Sequence, residues 1–170
     1  AMAALHKVDW AAIGLSDYGR HGSYFSRQLA RWTRQWEMSK TRDDTNVELL
    51  IRWLGDNLPN EAETSISHGD FRLGNLMYHP TESRVVGILD WELSTLGHPL
   101  ADVAFNCMAW RTLPEEYGGI KGLDLEALGI PSEDDYLKHY LQCSGRKDCV
   151  TAFHFAFALF RMAVIFEGIA

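Results

Sequence analysis

The stretch HGDFRLGN, residues 68–75, places several groups that could do chemistry close together in the chain. Asp70 and Asn75 lie on either side of a short segment that contains Gly74. If this segment curls back, the carboxylate and the amide oxygen can face one site. A second apolar run, VVGIL, ends at Asp90. The sequence therefore offers oxygen-bearing side chains at the ends of two short apolar runs.

These side chains suit phosphoryl transfer assisted by a divalent cation. Mg²⁺ prefers oxygen ligands and is commonly held by one or two protein groups together with substrate phosphates. We predict that Asp90, at the end of a buried strand, is the main carboxylate ligand and that Asn75 completes the metal shell. Asp70 is then free to accept the proton of a substrate hydroxyl, which is the division of roles found in kinases.

Each of these residues also has a plainer interpretation. Asp70 and Asn75 could be turn residues, since aspartate, asparagine and glycine are common in turns. Asp90 could simply end a strand. Their occurrence together, in this order and with apolar β-prone runs between them, favours the catalytic interpretation.

The segments around the polar motif predict an α+β fold that is mainly helical. Apolar residues at helical spacing and capping signals predict helices over residues 3–13, 22–39, 45–57, 100–111, 132–143 and 147–169. Short β-prone runs flank the motif, at residues 65–67, 76–78 and 85–89. The predicted catalytic groups therefore lie on loops of a small β insertion within a helical body, where a rigid scaffold can position them.

The segments HGDFRLGNLMY and VVGILDWELSTLGHPLADVA resemble the aminoglycoside phosphotransferase and choline kinase-like family, which is related to the protein kinases. The family pattern is His-x-Asp-x-x-x-x-Asn, then Ile-Asp-Trp-Glu, then Gly-x-Pro-x-x-Asp-Leu-Ala. The direct match covers residues 68–104. Within the family, the chain is similar above all to the phosphotransferase domains fused to, or encoded beside, acyl-CoA dehydrogenases. The resemblance implies the C-terminal lobe of a protein-kinase-like fold.

The resemblance also implies roles for individual residues. Asp70 would be the catalytic base, and Asn75 and Asp90 would bind Mg²⁺ in a reaction that uses ATP. His68 would orient the catalytic loop instead of exchanging protons. Arg72 would lie near the transferred phosphate, where a planar guanidinium stabilises spread negative charge.

Asp102 would lie early in a helix and hold the catalytic loop through backbone N–H groups. An ordinary acid at a helix N-terminus is the alternative for Asp102, and a solvated surface arginine is the alternative for Arg72.

A kinase also needs a glycine-rich loop over the phosphates and a strand lysine, and neither pattern precedes residue 68. The segment YGGIKGLD places Lys121 among glycines, but it follows Asp90 and is interpreted as a surface loop. We therefore expect residues 1–170 to be the C-terminal lobe, to require an N-terminal nucleotide-binding lobe that lies outside this chain, and to be inactive alone.

Charge and composition exclude some other classes of function. A formal net charge of −7 argues against general binding to nucleic acids or membrane surfaces. The three cysteines match no metal motif and are expected to be reduced thiols in a cytoplasmic protein. The apolar stretch after Cys149 is interrupted by Arg161 and Glu167, which favours a buried helix over a membrane span.

The expected function is transfer of the ATP γ-phosphoryl group to a hydroxyl of a small molecule. The link to dehydrogenases points to a hydroxyacyl-CoA or a related hydroxy acid as the acceptor, and to association with an acyl-CoA dehydrogenase. An aminoglycoside or other small-alcohol kinase remains an alternative. A kinase-like module that binds without catalysis is a second alternative.

Overall fold

The computed structural model describes residues 1–61 and 63–169. Within them the chain is mainly helical and contains two small antiparallel sheets, which confirms the predicted α+β class. The helices are α1 (Met2–His6), α2 (Tyr24–Ser39), α3 (Thr45–Asp56), α4 (Pro99–Asn106), α5 (Met108–Arg111), α6 (Pro114–Tyr117), α7 (Glu133–Ser144) and α8 (Ala152–Glu167). The strands are β1 (Ser65–Ser67), β2 (Leu76–Tyr78), β3 (Val85–Ile88) and β4 (Thr95–Gly97).

The two sheets frame the polar motif. Strand β1 pairs with β4, with Ile66 opposite Leu96, and β2 pairs with β3, with Met77 opposite Gly87. The chain runs from β1 through residues 68–75 into β2, so the motif lies between the sheets. Asp90 follows β3 and precedes β4, which brings the second acidic segment to the same region.

Several predicted boundaries differ from the structure. The first helix ends at His6 instead of residue 13, because the Asp9 side chain accepts a hydrogen bond from Ala12 N and starts a separate turn. The last helix begins at Ala152 instead of residue 147, because the side chains of Thr151 and His154 cap its N-terminus. The helix predicted over 100–111 is divided at Cys107. Strand β4 was not predicted.

The helices α2, α3 and α8 bury one apolar cluster, in which Phe25, Leu54 and Phe160 are fully buried. A second cluster joins α1, α4 and α7 to strands β1 and β4, whose buried residues Ile66 and Leu96 belong to it. The apolar helix α8 is thus a core helix, as predicted. No helix within residues 1–61 and 63–169 has the length and apolar character needed to cross a membrane.

Two histidines are buried near the start of α8. The rings of His98 and His154 have centroids 5.9 Å apart, and each side chain is about one twentieth exposed or less. Burial lowers the pKa of His98 and that of His154 to about 4. Both side chains are therefore neutral in the folded protein at neutral pH.

We predict that this histidine pair makes the protein less stable in mild acid. The unfolded chain takes up protons on histidine near pH 6.5, whereas the folded chain does so only near pH 4, so the free energy of unfolding falls as the pH drops between these values. Each histidine should contribute about 1–2 kcal/mol to the loss between pH 7.5 and pH 5.

Urea unfolding at pH 7.5 and pH 5, followed by tryptophan fluorescence, measures this loss. His154→Gln should reduce it, since glutamine stays neutral and can still accept from Thr151 N, whereas His139→Gln, at an exposed position of α7, should not. An equal loss in all three proteins would contradict the prediction.

Candidate active site

The segment between β1 and β2 folds as a tight loop that needs glycine at one position. Gly69 has a φ of +84°, and a Cβ there would lie 2.7 Å from the carbonyl oxygen of Leu93. A side chain would therefore be both strained and blocked by backbone. The loop then passes through Asp70 to a single 3₁₀ turn at Leu73–Asn75 and enters β2. Asp70 therefore directly follows a residue, Gly69, whose backbone conformation is fixed.

The carboxylate of Asp102 anchors the start of this loop. Asp102 lies in the first turn of α4 and is 1% exposed. It accepts hydrogen bonds from His68 N at 2.6 Å and Gly69 N at 2.8 Å. The Ser67 hydroxyl donates to it at 2.9 Å. One buried carboxylate thus fixes three consecutive residues immediately before Asp70.

His6 contacts the same carboxylate, and sequence reasoning did not identify it. Its Nε2 lies 3.3 Å from Asp102 Oδ2, and its Nδ1 lies 2.8 Å from the Tyr140 hydroxyl. These contacts join α1 and α7 to the loop. Nothing in the sequence near His6 indicates them, because the partners lie 96 and 134 residues away along the chain.

Asp102 remains a carboxylate at neutral pH. Burial alone would raise its pKa, but the hydrogen bonds from His6 and from the backbone N–H groups of Gly69 and His68 outweigh burial. The pKa of Asp102 therefore lies below its ordinary value. The negative charge that these donors need is present throughout the physiological pH range.

His68 connects the loop to the segment that carries Asp90. The ring is fully buried, its Nε2 donates to Leu89 O at 2.9 Å, and its Nδ1 accepts from Asp70 N at 3.2 Å. These partners require the neutral tautomer with the proton on Nε2. The Trp91 ring packs against it, with centroids 4.8 Å apart. With both nitrogens engaged, His68 is placed to orient the loop.

Asn75 turns back towards Asp70, so the structure brings these two residues together. The Asn75 side chain is 8% exposed, and its Nδ2 donates to the Asp70 carbonyl oxygen at 2.9 Å and to Asp70 Oδ2 at 2.8 Å. This orientation leaves Asn75 Oδ1 without a hydrogen bond to the described residues. The amide can therefore steady the Asp70 carboxylate with one atom and offer an oxygen to a cation with the other.

Asp90 is tied to the loop through its neighbour. Leu89 N donates to Asn75 O at 2.8 Å, while Leu89 O accepts the hydrogen bond from His68. Asp90 itself is exposed and has a φ of +63°. A left-handed conformation is unusual for a residue other than glycine, and such strain is concentrated at functional sites. The carboxylate is thus presented to solvent from a backbone fixed on its N-terminal side.

Arg72 lies beside Asp70 at the surface. Its Nε is 3.6 Å from Asp70 Oδ2, and its side chain is half exposed. The guanidinium also lies 5.8 Å from the ring centroid of Tyr117. Lys121, by contrast, is exposed in the loop after α6, as the surface-loop interpretation predicts.

A further support of the loop comes from α4. Asn106 Nδ2 donates to the Phe71 carbonyl oxygen at 2.8 Å, and the Phe71 side chain is buried. Helix α4 therefore holds the loop on both sides of Asp70, through Asp102 before it and Asn106 after it. The apolar Phe71 gave no sequence signal for this contact.

Comparison with known proteins shows what the chain is similar to. The family model described as "Phosphotransferase enzyme family" matches residues 1–133. Acyl-CoA dehydrogenase family member 10 of Mus musculus is 40% identical over 172 residues, which cover 99% of this chain and 16% of that protein. Acyl-CoA dehydrogenase family member 11 of Homo sapiens is 38% identical over 174 residues, which cover 99% of this chain and 22% of that protein.

A solved aminoglycoside-phosphotransferase-like protein from Ralstonia eutropha JMP134 is 51% identical and superposes with a TM-score of 0.92. The match covers 99% of this chain and 52% of that one. The chain thus spans about half the length of this solved protein and a much smaller share of the two dehydrogenase-family proteins.

We predict that Asp102→Ala strongly destabilises the protein. The change leaves buried donors of the loop without an acceptor, which should lower the free energy of unfolding by roughly 3–5 kcal/mol. Thermal and urea unfolding measure the effect. Asp56→Ala, which removes an exposed carboxylate at the end of α3, is the matched control and should change stability little. Equal effects of the two substitutions would contradict the anchoring role of Asp102.

Proposed function

Because the chain belongs to the phosphotransferase enzyme family, we propose that it supplies the catalytic base, metal ligands and part of the acceptor site of a small-molecule kinase. The reaction is ATP- and Mg²⁺-dependent transfer of the γ-phosphoryl group to a hydroxyl. The observation that carries this proposal is the Asn75 side chain, which holds the Asp70 carboxylate while the backbone of the same residue holds Leu89, next to Asp90. These hydrogen bonds link the proposed base to Asn75 and to the backbone that directly precedes Asp90.

Asp70 is the proposed base. Its side chain is one-fifth exposed, so an acceptor hydroxyl can reach it from solvent. The hydrogen bond from Asn75 fixes the direction of the carboxylate, and positioning of this kind supplies much of the rate in phosphoryl transfer. On this proposal Asp70 aligns the hydroxyl and accepts its proton as the new O–P bond forms.

Asp90 and Asn75 would hold the Mg²⁺ ion. A carboxylate and an amide oxygen are the hard donors that Mg²⁺ prefers, and phosphates and water complete its shell. Bound Mg²⁺ would neutralise charge on the nucleotide phosphates. Arg72 is exposed beside Asp70, where its guanidinium can donate hydrogen bonds to the group being transferred.

A second lobe would cover the nucleotide. Large apolar side chains next to the site are exposed, with Leu73 at 76%, Met77 at 50% and Leu89 at 47%. These surfaces suit contact with an adenine ring and with another layer of protein. We propose that residues 1–170 form the C-terminal lobe and that a nucleotide-binding lobe outside them completes the site. The lobe alone should then bind ATP weakly and turn over little.

The names of two relatives support a proposal for the acceptor class. Two proteins to which nearly the whole chain is similar are named as acyl-CoA dehydrogenase family members. We propose a hydroxyacyl-CoA or related hydroxy acid as the acceptor, with a fused or associated acyl-CoA dehydrogenase acting on the product. The similar solved protein is described as an aminoglycoside phosphotransferase, so an aminoglycoside acceptor is the second candidate.

We predict that Asp70→Asn lowers turnover by about a hundredfold or more, the usual effect of losing a general base. Binding of Mg-ATP should be unchanged, because the substitution leaves Asn75 Oδ1 and Asp90 in place. The measurement is phosphate transfer in the intact protein with hydroxyacyl-CoA and aminoglycoside acceptors, followed by ³¹P NMR.

Asp56→Asn serves as the control and should keep full turnover. Undiminished turnover in Asp70→Asn would remove Asp70 from the chemistry. Failure of every acceptor with the unmodified protein, together with intact Mg-ATP binding, would favour a module that binds without catalysis.

A further inference from the structure

Four arginines line one surface cavity on and beside α2. Arg27, Arg31 and Arg34 recur at spacings of four and three residues, which places them on one face of the helix. Arg20, in the segment before α2, joins them, and the cavity has a volume of about 360 Å³. Ala30 lies between these arginines on the helix, and its small side chain leaves the floor of the cavity open. We call these four residues the arginine patch.

The arginine patch lacks carboxylate partners. Within residues 1–61 and 63–169, no acidic side chain lies within 4 Å of any of the four guanidinium groups. Glu37, on the same helix, pairs instead with Lys40 at 2.9 Å. Like charges one helical turn apart repel each other, so this arrangement is unfavourable unless an anion neutralises it. The positive charge of the patch is also opposite in sign to the formal net charge of the chain, which is −7.

Part of the patch is already fixed in position. Arg27 Nη2 donates to the Arg20 carbonyl oxygen at 2.7 Å, which ties the preceding segment to the helix. The Arg31 guanidinium lies 5.3 Å from the centroid of the Trp32 ring. Because these contacts use little of the donor capacity of the guanidinium groups, most of their N–H groups remain available to a ligand.

The patch is connected to the candidate active site through β4. Gly19, next to Arg20, packs so closely on this strand that a Cβ would lie 2.7 Å from Leu96 N. The Tyr18 hydroxyl is hydrogen-bonded to Ser94 Oγ. Ser94 belongs to the segment that begins at Asp90, and its N donates to Trp91 O. Residues 18–19, which directly precede Arg20 of the patch, therefore pack against the segment that carries the proposed metal ligand and against β4.

We infer that the arginine patch binds the phosphorylated nucleotide end of a CoA-thioester acceptor whose hydroxyl lies at Asp70. This inference rests on the proposed phosphotransferase function. The ATP phosphates must lie at Asp90 and Asn75 for transfer, so the patch requires a different anionic group. CoA carries its diphosphate and 3′-phosphate at the end remote from the acyl chain, and the pantetheine arm separates the two ends. A cavity of about 360 Å³ is within the size range of ligand sites.

The first test is direct binding to the intact protein without ATP. Isothermal titration calorimetry at fixed ionic strength compares CoA, 3′-dephospho-CoA and pantetheine. Affinity should fall in that order. The double variant Arg31→Gln/Arg34→Gln should weaken CoA binding about tenfold or more, because charge-assisted hydrogen bonds to phosphate are lost. Its affinity for pantetheine should not change.

The matched control is Arg42→Gln/Arg52→Gln, which removes two exposed arginines before and within α3. It should bind CoA as the unmodified protein does. Equal CoA affinity in the patch variant and in the control would overturn the inference. Displacement of CoA by ATP or inorganic phosphate at equal concentration would also overturn it, because the site would then be a general anion site.

A kinetic test separates this inference from the proposed function. With a hydroxyacyl-CoA acceptor, the patch variant should raise KM and leave kcat unchanged, and with the matching hydroxyacyl-pantetheine it should change neither. A patch variant that handles both acceptors as the unmodified protein does would reject the inference and keep the phosphotransferase function. Loss of CoA binding in the variant, with no phosphate transfer to any acceptor by the unmodified protein, would keep the CoA site and reject the proposed function.

Discussion

The buried carboxylate of Asp102 is the constraint on which the rest of the site depends. Taking a charge out of water is costly, and the cost is offset only when hydrogen-bond donors surround the charge. Here the donors are the backbone of His68 and Gly69, the Ser67 hydroxyl and the His6 ring. Because these donors come from separate parts of the chain, the pairing that stabilises the carboxylate also brings α1, β1 and α4 together. Movement of the loop would therefore break the hydrogen bonds between these donors and the Asp102 carboxylate.

The side chains of the site become more exposed with distance from Asp102. His68 is fully buried and Asn75 is nearly so, and they hold the backbone on both sides of Asp70 and at Leu89. The groups that would meet ligands, Asp90 and Arg72, are exposed. Buried side chains thus hold the loop, and charged side chains are exposed next to it. Phosphoryl transfer needs such an arrangement, since its catalysis rests on positioning and charge stabilisation.

Local sequence patterns were sufficient to predict most of the strands that frame this site and the family of the chain. The β-prone runs that bound the loop lie where the structure has β1, β2 and β3, and the family resemblance inferred from residues 68–104 is confirmed by the family match over residues 1–133. Strand β4 was missed because its sequence, Thr-Leu-Gly, ends in a residue that is depleted in strands, and because it pairs with β1 about thirty residues earlier in the chain. The contact of His6 with Asp102 was missed because it depends on tertiary structure alone. The arginine face of α2 was not predicted, because the apolar residues on the opposite face account for the helical pattern by themselves.

The most direct measurement is a crystal structure of the intact protein with Mg²⁺ and a non-hydrolysable ATP analogue. We predict Mg²⁺ at about 2.1 Å from a carboxylate oxygen of Asp90 and from Asn75 Oδ1. We also expect Asn75 Nδ2 to remain hydrogen-bonded to Asp70, and the Asp70 carboxylate to face the terminal phosphate without binding the metal. A cation bound away from Asp90, or an Asn75 side chain turned so that its amide nitrogen faces the phosphates, would contradict the account.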